Sequence, residues 1–595
     1  MRLRTTISLI FVGLICFAGL TRWQTLSEEP LIQSDGQGYH AYLPAVFIYH
    51  DLQFNFVDSL NQTYYPEDKR ANFIVRSEDG NVNKYFVGTA IVQAPFFLVG
   101  CAMSWVLGLP VDGYSWPFQL MVGIAAITCL SLGLWYLGHL LLAMGFGQFA
   151  TLATLLFISF GTNLLHYTLY APSMSHVYSF FTISAFLFFI WKAFSEQHGK
   201  SLLLAAVAVG VTVLIRPING LVVFGIPILT SGLFGTVNGL EAFLKEKKAL
   251  LTAIAIGLTV VSIQPFIYFL QSGSPMVWSY QEEGFNFTSP ELMNVLFSYR
   301  KGLFVYCPVL FLAVLGMISG AMKETARYAW LMFFLFVISW VIASWWMWYY
   351  GGSYGHRAFI EYYPFFAIGL AYLLKHGWWF FKPMFFSVLG VGLIGLQLFQ
   401  TYQHNIDIIP FDNMSKAKYW NLFLRTGQDI RWYYPGYASE EIYFGKDSVV
   451  VKHDMESELG WGNEDQRTTD VSYAGDYGCV MGPEQQYGLT FRQPVSELSL
   501  SPDVIRVGAW VKSDSRSTGV AFICAVEDST GASYYWKSRA LRPQFSWTNQ
   551  WSWVEAVFKC GYPKDSSDKI VIYPMKSDGA TVYFDDLEVS FISTK

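Results

Sequence analysis

The stretch Gln33-Ser34-Asp35-Gly36-Gln37-Gly38-Tyr39-His40 decides how this chain is read. It follows an apolar run, Thr5 to Leu20, that starts behind Arg2 and Arg4 and ends on Arg22-Trp23. Such a run reads as a first membrane crossing, with its basic start in the cytoplasm and an aromatic anchor at the far interface. Asp35 then sits just outside the membrane, on a segment loosened by Gly36 and Gly38. A carboxylate in that position contributes little to packing and is well placed to act on something carried by a lipid.

Composition agrees with a membrane chain. Of 595 residues, 53% are hydrophobic, 18% aromatic and only 14% charged, with a mean hydropathy of +0.33. These values describe a polytopic membrane protein with aromatic belts, not a soluble enzyme. Charge divides the chain. Residues 1–400 hold 20 Lys+Arg and 18 Asp+Glu, net +2, whereas residues 401–595 hold 19 and 26, net −7. No long apolar run falls in the second part, so an acidic soluble domain is expected to follow a membrane domain. No basic block points to nucleic acid. The odd number of cysteines in the tail (Cys479, Cys524, Cys560) indicates no disulfide framework.

Eleven runs are long enough to cross a hydrocarbon core of roughly 30 Å. They are 5–22, 117–143, 148–166, 174–194, 201–215, 217–234, 249–270, 303–321, 328–349, 359–374 and 383–400. The run 85–109 carries Pro95 and sets the parity of everything after it. If it crosses, Lys192, Lys200, Lys245, Lys247, Lys248, Lys323, Arg327, Lys375 and Lys382 all fall outside, against the positive-inside rule. Residues 23–116 are therefore expected to form one long external segment with embedded helices. On this reading residues 1–400 are the membrane domain, 401–440 a linker, and 441–595 a domain on the outer side. The N-terminus is cytoplasmic.

That topology leaves a few cations outside, near the membrane, where the charge bias does not want them: Lys84, Arg216, Arg300, Lys301 and Arg357. They join Asp35, the turn Pro172–His176, and the segment Gly351-Gly352-Ser353-Tyr354-Gly355-His356-Arg357 with Glu361. Arg and Lys hold a phosphate leaving group well, and a nearby base can activate an acceptor hydroxyl. The bland readings are snorkelling anchors for the cations, a polar turn for His176, and a plain i,i+4 helix contact between Arg357 and Glu361.

The order of these features is similar to the GT-C superfamily of membrane glycosyltransferases. It resembles especially the bacterial relatives of protein O-mannosyltransferases and lipid A aminoarabinose transferases. The resemblance covers roughly residues 1–400 and is carried by Ser34-Asp35-Gly36, Lys84-Tyr85-Phe86-Val87-Gly88, Pro172–His176, Leu214-Ile215-Arg216-Pro217 and His356-Arg357-Ala358-Phe359. It implies a multi-pass enzyme of the bacterial cytoplasmic membrane. Such an enzyme moves a sugar from a polyprenyl-phosphate donor to a glycan, lipid or protein acceptor on the outer face. Asp35 and His176 would be catalytic; Lys84, Tyr85, Arg216, Arg300, His356, Arg357 and Glu361 would bind substrate. Many relatives place a second acidic residue where this chain has His176. One carboxylate and a histidine make a thin site for a hard divalent cation. No cofactor is therefore expected at the catalytic site, with a divalent metal the open alternative. Direct displacement would invert the anomeric centre. The rival readings are a transporter or flippase, a ligase or polymerase of lipid-linked glycans, and a non-catalytic carbohydrate sensor.

From about residue 440 the pattern changes to period-two alternation, as in Ile505–Lys512, Gly519–Val526, Trp553–Phe558, Lys569–Tyr573 and Thr581–Val589. About nine short strands argue a β-sandwich. The opening Asp454-Met455-Glu456 and the closing Tyr583-Phe584-Asp585-Asp586-Leu587 resemble jelly-roll carbohydrate-binding modules, whose first and last strands supply carboxylates to a structural calcium. That resemblance implies calcium at Glu456 and Asp585; the other reading is two surface acids on adjacent strands. Trp461, Trp510 and Trp536 are candidate sugar platforms, with a core place expected for Trp510.

Overall fold

The computed structural model describes residues 2–593 except 27–29, 66–69, 78–79, 198, 231, 246, 324, 377–382, 407, 413, 427–446, 499–501, 503, 515–519, 542–550, 560–562, 564 and 578. Two compact units emerge, Met1–Thr401 and Tyr402–Lys595.

The first unit is helical. Helix α1 spans Leu3–Thr21, α2 Asp35–Phe47, α3 Val57–Tyr64, α4 Gly88–Val106, α5 Trp116–Ala143, α6 Gln148–Phe160, α7 Leu164–Leu169, α8 His176–Glu196 and α9 Gly199–Ile215. A two-stranded hairpin, β1 (Ile74–Ser77) and β2 (Gly80–Asn83), lies between α3 and α4. Six described helices are long and apolar enough to cross a membrane, or seven if the bent pair Pro217–Leu229 and Leu233–Leu244 counts as one span. The eleven runs read from sequence are not matched in number, and α4, within the run 85–109 expected only to embed, is one of the six. Their large apolar side chains, among them Phe234, Leu258, Phe266 and Phe333, remain exposed. Water would not tolerate so wide an apolar surface, and lipid would.

Several expected runs are interrupted where the sequence supplies a breaker. The run 148–166 stops at Phe160, just before Gly161, and resumes as α7. The run 303–321 breaks at Cys307-Pro308. At Arg216-Pro217 the α-helix gives way to a 3-10 helix, Pro217–Gly225, because proline removes the donor a continuing helix needs. Conversely, Pro95 does not break α4, which runs 19 residues without interruption.

The second unit is a β-sandwich of ten described strands. They are β3 (Asp447–His453), β4 (Arg467–Thr468), β5 (Gly478–Met481), β6 (Phe491–Pro494), β7 (Val504–Ser513), β8 (Val520–Glu527), β9 (Ser533–Ala540), β10 (Ser552–Lys559), β11 (Lys569–Lys576) and β12 (Val582–Ser593). One sheet has the order β10-β7-β12-β5-β4, with β3 also paired to β12; the other runs β6-β11-β8-β9. Alternation builds the core: Ile505, Val507, Ala509 and Val511 of β7 face Phe522, Cys524, Ile570 and Ile572 across the sandwich. In β12 the inward set is Val582 and Phe584 before a bulge, then Leu587, Val589 and Phe591 after it. The extra residue resets the parity. Of the expected linker, Lys416–Leu422 forms a short helix capped by the Ser415 side chain, and residues 427–440 lie outside the described residues.

Candidate functional site

Asp35 opens α2, with Ser34 in the N-cap position at a positive φ of 50°. Its carboxylate is not used as a cap. Oδ2 lies 3.0 Å from the Arg357 guanidinium, and Oδ1 accepts a hydrogen bond from the Tyr85 hydroxyl at 2.8 Å. The side chain keeps 23% of its surface exposed, against 11% for Arg357. Behind it, Gly36 to Ala45 are all buried. Gly36 permits this docking: a Cβ there would fall 2.0 Å from the Ser173 Oγ. Gly88 does the same for α4, since its Cβ would meet the Ile215 nitrogen at 2.3 Å, beside Arg216. The Tyr39 and Tyr85 rings close the gap between α2 and the residues before α4 at 4.7 Å.

A second, deeper group adjoins the first. Glu361 Oε1 lies 3.4 Å from Arg216 and 3.2 Å from His176 Nδ1, and Glu361 is 1% exposed. Asn219 donates to the Ser179 hydroxyl and accepts from Tyr362. Arg357 and Glu361 do not form the i,i+4 pair considered from sequence. The segment Arg357–Tyr362 is a 3-10 helix, where residues four apart no longer share a face. Arg357 therefore turns to Asp35 and Glu361 to Arg216.

The electrostatics of Asp35 follow from this packing. Burial pushes its pKa up, but Arg357 first, then the Tyr85 hydroxyl, Arg216 and Lys84, outweigh burial and hold it below the ordinary 3.8. Tyr85 is pushed well above the usual phenol range by its own burial and by the Asp35 charge, so it remains a donor.

The other expected binders lie as follows. Lys84 pairs with Glu283 at 2.6 Å and lies 5.2 Å from the Tyr280 ring centre. Arg300 stacks on Tyr349 at 3.4 Å. The His356 Nε2 meets the Trp348 carbonyl at 3.0 Å. Burial pulls its pKa down to about 3, so His356 is a neutral ring that shapes the loop rather than a cation that holds phosphate. His176 is fully buried on Glu361, behind the accessible carboxylate rather than beside it. Glu283, Asn219 and Tyr39 were not singled out from sequence. Glu283 was detectable as an acid within Gln281-Glu282-Glu283-Gly284, on a loop read only for its cations.

In the sandwich, Glu456 Oε1 accepts the amides of Asp476 and Tyr477, and Asp585 Oδ2 accepts those of Tyr473 and Ala474. Both carboxylates thus clamp one loop, 473–477, through N–H donors. A calcium ion needs oxygen acceptors where these donors stand, so this pair does not fit the ion. Among the described residues no three His, Cys, Asp or Glu group to hold a metal. Trp510 is not in the core: it stacks on Tyr473 at 3.8 Å on the outer face of its sheet, because β7 points Ala509 and Val511 inward. Trp461 packs against the core. Trp536 is 50% exposed, and its Nε1 donates to the Tyr573 hydroxyl at 3.3 Å.

No family model matches the chain, and no curated protein matches it significantly. Solved structures resemble its β-sandwich. The CBM22-1 xylan-binding domain of Paenibacillus barcinonensis Xyn10C is 14% identical, with 26% of this chain and all of that one covered and a TM-score of 0.19. A family 16 carbohydrate-binding module is 16% identical, covering 22% of this chain and 90% of that one, TM-score 0.17. TmCBM61, solved with β-1,4-galactotriose, is 14% identical, covering 25% and 90%, TM-score 0.15. At these identities the likeness concerns the fold of that domain alone.

Proposed function

We propose that this chain is an integral membrane glycosyltransferase that moves a sugar from a polyprenyl-phosphate donor to an acceptor at the outer membrane face. The observation that carries the reading is the Asp35 carboxylate, partly open at the head of a helix buried from Gly36 to Ala45 and ringed by cations from three distant segments. In the proposed reaction Asp35 takes the proton of an acceptor hydroxyl. The oxygen attacks the anomeric carbon as the carbon–phosphate-oxygen bond breaks, and the configuration inverts. The leaving phosphate carries its negative charge to Arg357, Arg216 and Lys84, which are placed to receive it. His176 and Asn219 act as positioning residues: they hold Glu361 and the 217–225 turn, and Glu361 orients Arg216.

The sandwich supports a role in handling glycan. Arg492, Val571, Ala525 and Trp536 lie in one cross-strand row of the β6-β11-β8-β9 sheet. The exposed indole offers a flat face to the apolar C–H side of a sugar ring. Val571 and Ala525 of this row are buried, so Trp536 and Arg492, its exposed members, would hold the acceptor.

The decisive experiment measures sugar transfer from a polyprenyl-phosphate donor by Asp35→Asn and Asp35→Ala. Loss of a general base costs roughly 10²–10⁴-fold. Wild-type rates in both variants would end the assignment.

A further inference from the structure

Glu283 has no part in the reaction just described and stands in its way. It lies on the turn 278–284, built from two tight hydrogen bonds, Gln281 N to Trp278 O and Glu283 N to Tyr280 O. The base of the turn is tied down by Trp346 N to Gly284 O and Asn286 N to Ser344 O. Its tip reaches the residue that opens the site: the Ser279 hydroxyl donates to the Lys84 carbonyl at 2.8 Å, and Glu283 Oε1 holds the Lys84 ammonium at 2.6 Å.

The pairings show what this contact does. Lys84, Arg216 and Arg357 each face a carboxylate, Glu283, Glu361 and Asp35 in that order. A phosphate that is to use one of these cations has to displace the carboxylate on it. Glu361 cannot withdraw, because it is 1% exposed and would strand the Arg216 guanidinium, itself only 17% exposed. Asp35 is needed as base. Glu283 is 28% exposed and its partner Lys84 23%, so water can take over the carboxylate when it leaves. The segment 276–297 around this turn exposes Met276, Trp278, Phe287 and, on its short helix Leu292–Phe297, Met293 and Phe297, apolar side chains that suit a lipid chain.

We infer that Glu283 is an internal competitor for the donor phosphate: it occupies Lys84 in place of an anion and weakens every phosphate that takes Lys84 by the cost of displacing it. A soluble phosphate has only its charge to set against that cost; a polyprenyl phosphate adds apolar contact. The inference rests on the donor reading above and adds the competition at Lys84.

The test uses full-length protein in detergent, with a polyprenyl-phosphate-linked sugar and inorganic phosphate as separate probes. Glu283→Gln and Glu283→Ala are compared with wild type, with melting curves run on each. Both variants should bind the lipid-linked sugar roughly fivefold tighter, the size expected when a half-screened internal competitor is removed. Both should bind inorganic phosphate tighter by a similar factor. If wild type binds the lipid-linked sugar and two folded variants bind neither probe better, this inference fails alone. If wild type does not bind the lipid-linked sugar at all, the proposed function fails and takes the inference with it.

Discussion

Asp35 is held below its ordinary pKa chiefly by Arg357, the residue that the proposed reaction also assigns to the leaving phosphate. A base bound to a guanidinium is weak; it strengthens when the donor draws Arg357 away. Arg357→Gln should reveal this. Burial, the largest influence on Asp35, then acts without its main counterweight, so the pKa rises. The acid limb of kcat/KM against pH should move up by about 1–2 units, and a profile that stays in place would show that Asp35 is not the group it reports. Stability carries the same sign. The lowered pKa contributes stability that is present above the ordinary 3.8 and lost as pH falls through the lower folded value. Melting of wild type, measured from pH 7 down to 3, should therefore exceed that of Arg357→Gln above 3.8 and converge with it further down. Asp35, Arg216 and Arg357 were legible in the sequence because each breaks a rule of membrane chains. Their pairings were not. Arg357 and Glu361 sit four apart, and only the 3-10 geometry, a product of tertiary packing, sends them to different partners.

At the scale of elements, two local devices place the chemistry. One is the close approach of α2 to the 171–175 turn through Gly36. Gly36→Ala forces a Cβ into Ser173, so it should cost about 1–3 kcal/mol of stability, visible as an earlier melt in detergent; an unchanged melt would mean that the turn moves aside freely. The other is the bulge in β12, where Asp586 takes a positive φ of 51° and Asp585 turns back onto the 473–477 loop. Asp585→Ala strands three amides, of Tyr473, Ala474 and Asp586, and should cost about 1–3 kcal/mol. Added calcium or chelator should leave the melt of the wild-type chain unmoved, since N–H groups point at both carboxylates; stabilisation by calcium would overturn that reading. The strands were readable from period-two alternation; the bulge at Asp585-Asp586 was not, because Thr581–Val589 reads as one unbroken alternating run. What the acids do there was hidden, because a carboxylate that binds amides and one that binds calcium have the same spelling. Helix continuity was harder still: Pro308 breaks a run and Pro95 does not, a difference that depends on the neighbours that pack around each.

For the whole molecule, the proposal stands on which side of the membrane the site faces. Helix α1 has 19 residues, about 28 Å at 1.5 Å per residue, close to the ~30 Å of a hydrocarbon core. Arg4 lies at its start and Ser34 beyond its end, and both are exposed. If α1 crosses, the two positions must lie on opposite sides, and Ser34 is the neighbour of Asp35. Arg4→Cys and Ser34→Cys, made in a chain whose native cysteines are replaced by serine, put this to a membrane-impermeant maleimide in intact cells. Ser34→Cys should react at once and Arg4→Cys only after permeabilisation. The opposite pattern would turn the ring of Lys84, Arg216 and Arg357 toward the cytoplasm. Charge supports the expected sense: Arg2 and Arg4 at the start of α1 stand against Arg22 alone just beyond its end, a Lys/Arg excess that keeps the N-terminal side in the cytoplasm.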